Sequence, residues 1–414
     1  MAILKAFRGI RPRKDKVKLI ASRPYDVLSS EEARVEANGN AYSFLHIVKP
    51  EIDLPPETDH YSPQVYEKGR DNFRKMFKDN IFFQDPAEYL YVYAQTMNGK
   101  RQIGLVGCAG VEDYINNIIK KHELTRKDKE EDRKNHVRVS NMNAEPVFFA
   151  YPDVPQIDAV ITQITSKDCE YDFVSDDGVR HSFWVIKDGN TIKRLVEIFA
   201  AIPYTYVADG HHRTAAAALV GNEKKKQNTH HKGTEEYNYF LAVLFPASQL
   251  TIFDYNRLVK DLNGLTKKEF LARLGKSFTI KEKGNTKYKP NMLHNFGMYL
   301  EHDWYSLSAK PGEYSEKDPI DVLDVTILYK HVLEPILNIV DLRTDKKVDF
   351  VGGIRGLEEL EKRVDSGEMR AAFTLYPVTM KQLMNIADTG NTMPPKTTWF
   401  EPKLRSGLII HSLD

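Results

Sequence analysis

Apolar and polar positions along this chain predict many short strands interleaved with helices. At residues 89–96 three tyrosines, Tyr89, Tyr91 and Tyr93, fall on alternate positions, and a second strand-like run occupies 101–106. Asn98-Gly99 lies between them, and an Asn-Gly pair flanked by alternating segments predicts a two-residue hairpin turn. Asp177-Gly178 turns the chain into another alternating run at 179–186, with Arg180 and Ser182 on one face. Further strands are expected at 17–20, 44–48, 146–151, 158–164, 171–174, 239–245, 250–253 and 371–376, with a β-meander inside 278–307. Helical spacing of apolar residues marks 61–77, 191–199, 267–274, 321–339, 357–365 and 380–387. The charged segment at 122–133 reads as a solvated helix with i,i+4 pairs. Near the N-terminus Ser29 or Ser30 can cap a helix whose first turn carries Glu31 and Glu32, a place where carboxylates favour the helix dipole.

One junction concentrates the chemistry. Residues 204–207 suit a strand, Asp209-Gly210 is a turn signal, and the alanine-rich run from Thr214 to Leu219 favours a helix. The first N–H groups of such a helix lack intrahelical partners and carry the positive end of its dipole. Gly210 allows a ligand close to the backbone, and His211, His212 and Arg213 add donors, which together suit an anion and above all a phosphate. The structural alternative is a helix capped by Asp209 with solvated histidines. Five consecutive polar or permissive residues weigh against it.

Composition narrows the possibilities. The net charge of +1 over 414 residues argues against a dedicated nucleic-acid surface. No apolar run reaches the roughly 18 residues of a membrane span, and the basic N-terminus lacks the apolar core of a secretory signal. Two cysteines without a CxxC spacing read as free thiols, so a cytoplasmic setting is expected. The tail from Met393 to Gly407 sets Lys396, Lys403 and Arg405 among hydroxyls and prolines, a composition suited to phosphate oxygens. His122-Glu123 is no zinc-protease motif, because Arg126 stands where the second histidine belongs.

The stretch Asp209-Gly210-His211-His212-Arg213-Thr214-Ala215-Ala216 resembles the Gly-x-x-Arg-x-x-Ala box of the ParB/sulfiredoxin-like superfamily, with Gly210, Arg213 and Ala216 at its fixed positions. Over nearly its full length the chain resembles a large bacterial family known mainly as a domain of unknown function. The pieces that carry this are Arg23-Pro24-Tyr25-Asp26-Val27, Lys121-His122-Glu123-Leu124-Thr125, Glu131-Asp132-Arg133, Ala208 to Arg213, and Met393-Pro394-Pro395-Lys396.

The resemblance implies nucleotide binding at the box. Sulfiredoxin activity is excluded by His211 in the place of the catalytic cysteine, and a ParB-like DNA clamp is disfavoured by the near-zero net charge. A phosphotransferase similar to the free-serine kinases is the leading expectation. It uses ATP or ADP with Mg²⁺, acts on a small hydroxylated metabolite, and has Gly210, His211, Arg213, Lys396, Lys403 and Arg405 as phosphate ligands. Asp209 is the expected Mg²⁺ ligand, and His212 a phosphate ligand or proton shuttle. Glu31, Glu32 and Glu123 are the candidates for the base. His122 and Arg133 are further candidate site residues. The alternatives are a non-enzymatic nucleotide sensor and a metal-dependent hydrolase built on His122, His211 and His212. The expected architecture is α+β with mixed sheets: a ParB/sulfiredoxin-like core over 1–260 with a long insertion at about 36–200, and an α+β lobe over 261–414 whose tail returns to the site.

Overall fold

The alternation around the tyrosines builds the middle of a large mixed sheet. The computed structural model describes residues 1–414, which divide into a unit of Met1–Leu250 with Pro402–Asp414 and a unit of Thr251–Glu401. The first unit contains β1 (Leu90–Met97), β2 (Lys100–Gly110), β3 (Ile119–Lys120), β4 (Val147–Tyr151), β5 (Tyr171–Val174), β6 (Arg180–Ile186), β7 (Thr205–Asp209) and β8 (Tyr239–Pro246). Their order across the sheet is β3-β7-β4-β8-β2-β1-β6-β5. The β3–β7 and β4–β8 pairs are parallel and the others antiparallel.

In β1, Leu90, Val92 and Ala94 join a core with Phe149, Val207 and Leu244. Tyr91 and Tyr93 point to the opposite face and pack on Phe183 at 5.6 and 6.3 Å between centroids. Both faces are covered, so the tyrosines are as buried as the aliphatic residues. Asn98 and Gly99 both take positive φ, 51° and 77°, and Met97 pairs with Lys100, as the two-residue hairpin requires. The segment 36–200 thus supplies six of the eight strands of the sheet that contains β7.

Three strand expectations are replaced by helices. Residues 158–164 lie in the helix Pro155–Thr165, where Pro155 opens the first turn and Ile157, Val160 and Ile161 are buried at i, i+3 and i+4. Val17–Ile20 and Leu45–Val48 are single-turn helices. Both are apolar runs too short for periodicity to separate strand from helix. The helix expected over 321–339 shrinks to Asp324–Leu328 followed by a π-turn at Tyr329–Leu333. Pro335 ends it by lacking an N–H and crowding the preceding turn.

The second unit is built on an antiparallel six-stranded sheet. Its order is Phe278–Gly284, Asp303–Ala309, Asn295–Leu300, Ala371–Leu375, Tyr255–Val259 and Val348–Gly352. Trp304, Tyr299, Leu258 and Leu360 form a core on it. The whole chain is therefore a mixed α+β fold with several sheets, and no helix is long and apolar enough to cross a membrane.

The helix His211–Gln227 seats against neighbouring backbone through Gly221. A Cβ there would stand 2.3 Å from the Tyr237 carbonyl oxygen and 2.9 Å from Val111. Gly221→Ala is expected to lower stability by about 1–3 kcal/mol in urea unfolding, although alanine is intrinsically the better helix former. An unchanged or raised midpoint would contradict this packing.

Candidate functional site

Strand β7 ends at Asp209, Gly210 takes the left-handed conformation at φ 88°, and the helix His211–Gln227 begins at once. No side chain caps this helix, so Asp209 is not its N-cap and the first-turn N–H groups remain directed at the junction. Gly210 is required twice. Its φ is unfavourable for residues with a Cβ, and a Cβ would lie 3.1 Å from the Arg213 guanidinium.

Arg213 is buried behind the junction. Its Nη1 donates to the Pro146 carbonyl at 2.6 Å and its Nη2 to Asp209 at 3.2 Å, with Asp26 at 3.6 Å. Nε is buried without a partner. Burial works against the charge, but Asp26, Asp209 and Glu145 outweigh it and raise the guanidinium above its usual range. Asp209 also meets Lys403 Nζ at 3.5 Å. Burial would raise its carboxyl, yet Lys403, Arg213 and His211 together hold it below the ordinary aspartate value. The C-terminal segment reaches this place by pairing Ser406 with Ser22 and Ile410 with Ile10.

The parallel pairing of β3 with β7 brings the residues after β3 to the same place, since Thr205 faces Ile119 and Tyr206 faces Lys120. The His122 and His211 rings meet edge to face at 4.5 Å, and His211 Nδ1 lies 3.8 Å from a Glu123 carboxylate oxygen. Burial pushes both imidazoles down, His122 to about 4 and His211 well below its ordinary value. His212 lies apart from this pair. Its Nε2 accepts the Arg126 backbone N–H at 3.0 Å, so this imidazole is neutral and pins the start of the 127–140 helix. A proton shuttle at His212 would have to break that bond.

Behind Arg213 a cavity of about 30 Å³, room for one water, is lined by Arg133, His136, Asn143, Glu145 and Arg213. Arg133 holds Asp132 at 2.8 Å and lies 3.9 Å from the centre of the Tyr25 ring. Glu145 accepts from the Tyr25 backbone N–H at 3.1 Å and the Ser406 hydroxyl at 2.9 Å. Arg133 thus sits one layer inside the junction.

Other sequence candidates lie elsewhere. Glu32 accepts the Ser29 N–H at 2.8 Å and completes a capping box, while Glu31 is exposed in the same first turn. Arg405 is buried and bonded to Ser175 at 3.1 Å and to Asp177, beside β5 and β6. Lys396 belongs to the second unit, where its carbonyl accepts from Arg257 at 3.0 Å and its Nζ stands 5.9 Å from the Tyr255 ring centre.

A family model described as "Protein of unknown function (DUF1015)" matches residues 4–326. The chain belongs to the DUF1015 family. No curated protein matches this DUF1015 member in sequence. Among solved structures it is similar to free serine kinase in complex with AMP, at 15% identity and a TM-score of 0.35, with 72% of this chain and 86% of that one covered. A conserved hypothetical protein from Pyrococcus furiosus is similar at 14% identity and a TM-score of 0.35, covering 73% and 93%. SbnI from Staphylococcus aureus, truncated at its C-terminus, is similar at 11% identity and a TM-score of 0.31, covering 72% and 82%.

Two carboxylates at the DUF1015 junction escaped sequence reasoning, Asp26 and Glu145. Asp26 sits in a family-like stretch, but its approach to Arg213 across 187 positions of chain leaves no local spacing to read. Glu145 follows a polar turn and carries no motif.

The buried histidines of this unit imply acid sensitivity. Burial pushes His136 down to about 4, with Arg133 adding to it, and His181 down to about 3, with Arg405 adding to it. Both are neutral when folded, whereas the unfolded chain takes up their protons below about pH 6.5. Stability is therefore full above pH 6.5 and falls as pH drops toward 4, by up to about 1.4 kcal/mol per pH unit for each group. Urea midpoints between pH 7.5 and 5, roughly spanning that window, should show the decline, and His136→Gln should flatten it. A flat profile would contradict neutral burial.

Proposed function

We propose that this protein is a nucleotide-dependent phosphotransferase acting on a small hydroxylated metabolite, with ATP or ADP as donor and Mg²⁺ as the ion on the phosphates. The observation that carries the reading is the uncapped helix start after Gly210 with a basic side chain, Lys403, 3.5 Å from the adjoining Asp209. Backbone N–H groups of His211 and His212 would take phosphate oxygens, and Lys403 would add a point charge. Arg213 is committed to Pro146, Asp209 and Asp26, so its role is to hold those carboxylates in place. It lends its field to the transferring group from behind. The likeness of Gly210, Arg213 and Ala216 to the ParB/sulfiredoxin-like box supports the same assignment.

Two carboxylates divide the remaining work. Asp209, held ionised by its cationic neighbours, would supply the oxygen ligand for Mg²⁺. Asp26 is an exposed carboxylate at the junction, 3.6 Å from Arg213, and takes the substrate's hydroxyl proton. That oxygen then bonds to the terminal phosphorus as the bridging P–O bond of the nucleotide breaks and the shortened nucleotide departs, with the helix N–H groups on its phosphate oxygens; Mg²⁺, where bound, would supply further charge neutralisation. Glu32 completes the cap of its own helix, Glu31 lies in that same first turn and Glu123 stands at His211, so the base is assigned to Asp26 beside Arg213. The C-terminal lysine needed here is Lys403.

Protein incubated with ATP or ADP, Mg²⁺ and a panel of hydroxy amino acids is expected to yield a phosphorylated product. Asp26→Asn should lower kcat by about 10²-fold or more with nucleotide affinity retained, and Lys403→Met should weaken nucleotide binding by about tenfold. Saturable nucleotide binding without product would instead favour a nucleotide sensor. Absence of nucleotide binding would overturn both.

A further inference from the structure

We propose that His122, Glu123 and His211 form a binding site for one divalent transition-metal ion of the Zn²⁺ class. The site adjoins the phosphate-binding junction but is separate from the Mg²⁺ position at Asp209. It stands on the geometry of three side chains and is independent of the phosphotransfer reading.

The fold brings these residues together by register. Parallel pairing sets Ile119 opposite Thr205 and Lys120 opposite Tyr206, so the residues just past β3 meet those just past β7. One ligand atom from each of His122, Glu123 and His211 lies within 4.8 Å of the other two. Donors held about 2.0–2.2 Å from a tetrahedral ion stand roughly 3.4 Å apart, so adjustments of about an ångström in the side chains close the set.

The two imidazoles are prepared in different ways. His122 hydrogen-bonds the Val207 backbone, the kind of outer contact that fixes ring orientation and tautomer in metal-binding histidines. Nε2 of His211 is buried with no hydrogen-bond partner, although the residue is only 7% exposed. Nothing else described at the junction explains a ring that leaves Nε2 buried and unsatisfied, stands edge to face with a second imidazole and holds Nδ1 3.8 Å from a carboxylate oxygen.

The donor chemistry selects the ion. Two nitrogens and one carboxylate suit Zn²⁺ and its neighbours, whereas Mg²⁺ and Ca²⁺ require oxygen shells. Three protein ligands leave a fourth position, and the Glu123 side chain is 38% exposed, so that position is open to water or a substrate oxygen. His212 is not in the set, because its Nε2 holds the Arg126 N–H.

The test uses the full chain stripped of metal with a chelator and titrated with Co²⁺ as a spectroscopic probe. One equivalent per chain should bind with the visible absorption of a four- or five-coordinate site, be displaced by one equivalent of Zn²⁺, and resist excess Mg²⁺. Glu123→Ala should weaken Co²⁺ binding by about tenfold or more, and His211→Ala should abolish the absorption. Glu123 is partly exposed, so its variant keeps the test decisive if His211→Ala fails to fold. Substoichiometric binding by the wild-type chain, or full retention of binding by Glu123→Ala, would overturn the proposal.

Discussion

A buried guanidinium organises the first unit. An arginine withdrawn from water is tolerated only where hydrogen bonds and opposite charge replace its hydration. Arg213 obtains these from parts of the chain far apart in sequence: the Pro146 carbonyl at the entrance to β4, Asp209 at the end of β7, and Asp26 from the N-terminal region. Gly210 lies flat against the guanidinium because it has no Cβ. The requirement to neutralise one charge therefore fixes the turn, the helix start and the N-terminal segment relative to one another.

The same requirement shapes the surface of the junction. Asp209 answers Arg213 with one oxygen and Lys403 with the other, so both of its oxygens meet cations. The tail that supplies Lys403 is secured by backbone pairing at Ser406 and Ile410 and by the Ser406 hydroxyl on Glu145. Glu145 also receives the Tyr25 N–H, tying the Asp26 segment to the same anchor. Burial raises the Glu145 carboxyl while Arg213 and Arg133 oppose that rise. The cluster thus joins N-terminus, central sheet and C-terminus through polar contacts in an interior that is otherwise apolar.

Local grammar made the junction legible and long-range pairing stayed hidden. Strand, glycine and helix at 204–219 can be read because each element has its own residue signature, as can the Asn98-Gly99 turn and a helix start at Ser29 or Ser30, which the structure resolves as a capping box of Ser29 with Glu32. The helix Pro155–Thr165 replaces an expected strand because its apolar residues suit either element, although Pro155 marks a helix start. Charge in the tail was visible, but its destinations were not. Lys403 and Arg405 are two residues apart, yet one meets Asp209 and the other Asp177. Asp26 carried no signal of its own because its role is defined by a partner that only the fold supplies.

His211 shows how one residue can serve two neighbouring chemistries. Its backbone N–H belongs to an uncapped helix start, a position suited to anionic oxygen. Its imidazole turns inward, edge to face with His122 and 3.8 Å from Glu123. A ring turned toward solvent would be free to protonate, whereas this one is buried, and burial disfavours its charged form. The adjacent histidines differ for the same reason. One step along the helix rotates the side chain by about 100°, which carries His212 away from His122 and onto the Arg126 backbone. The His-His pair that looks like a single motif in sequence is therefore two separate devices. One ring stands beside His122 and Glu123 and the other holds the start of the 127–140 helix, while both backbones remain in the first turn after Gly210.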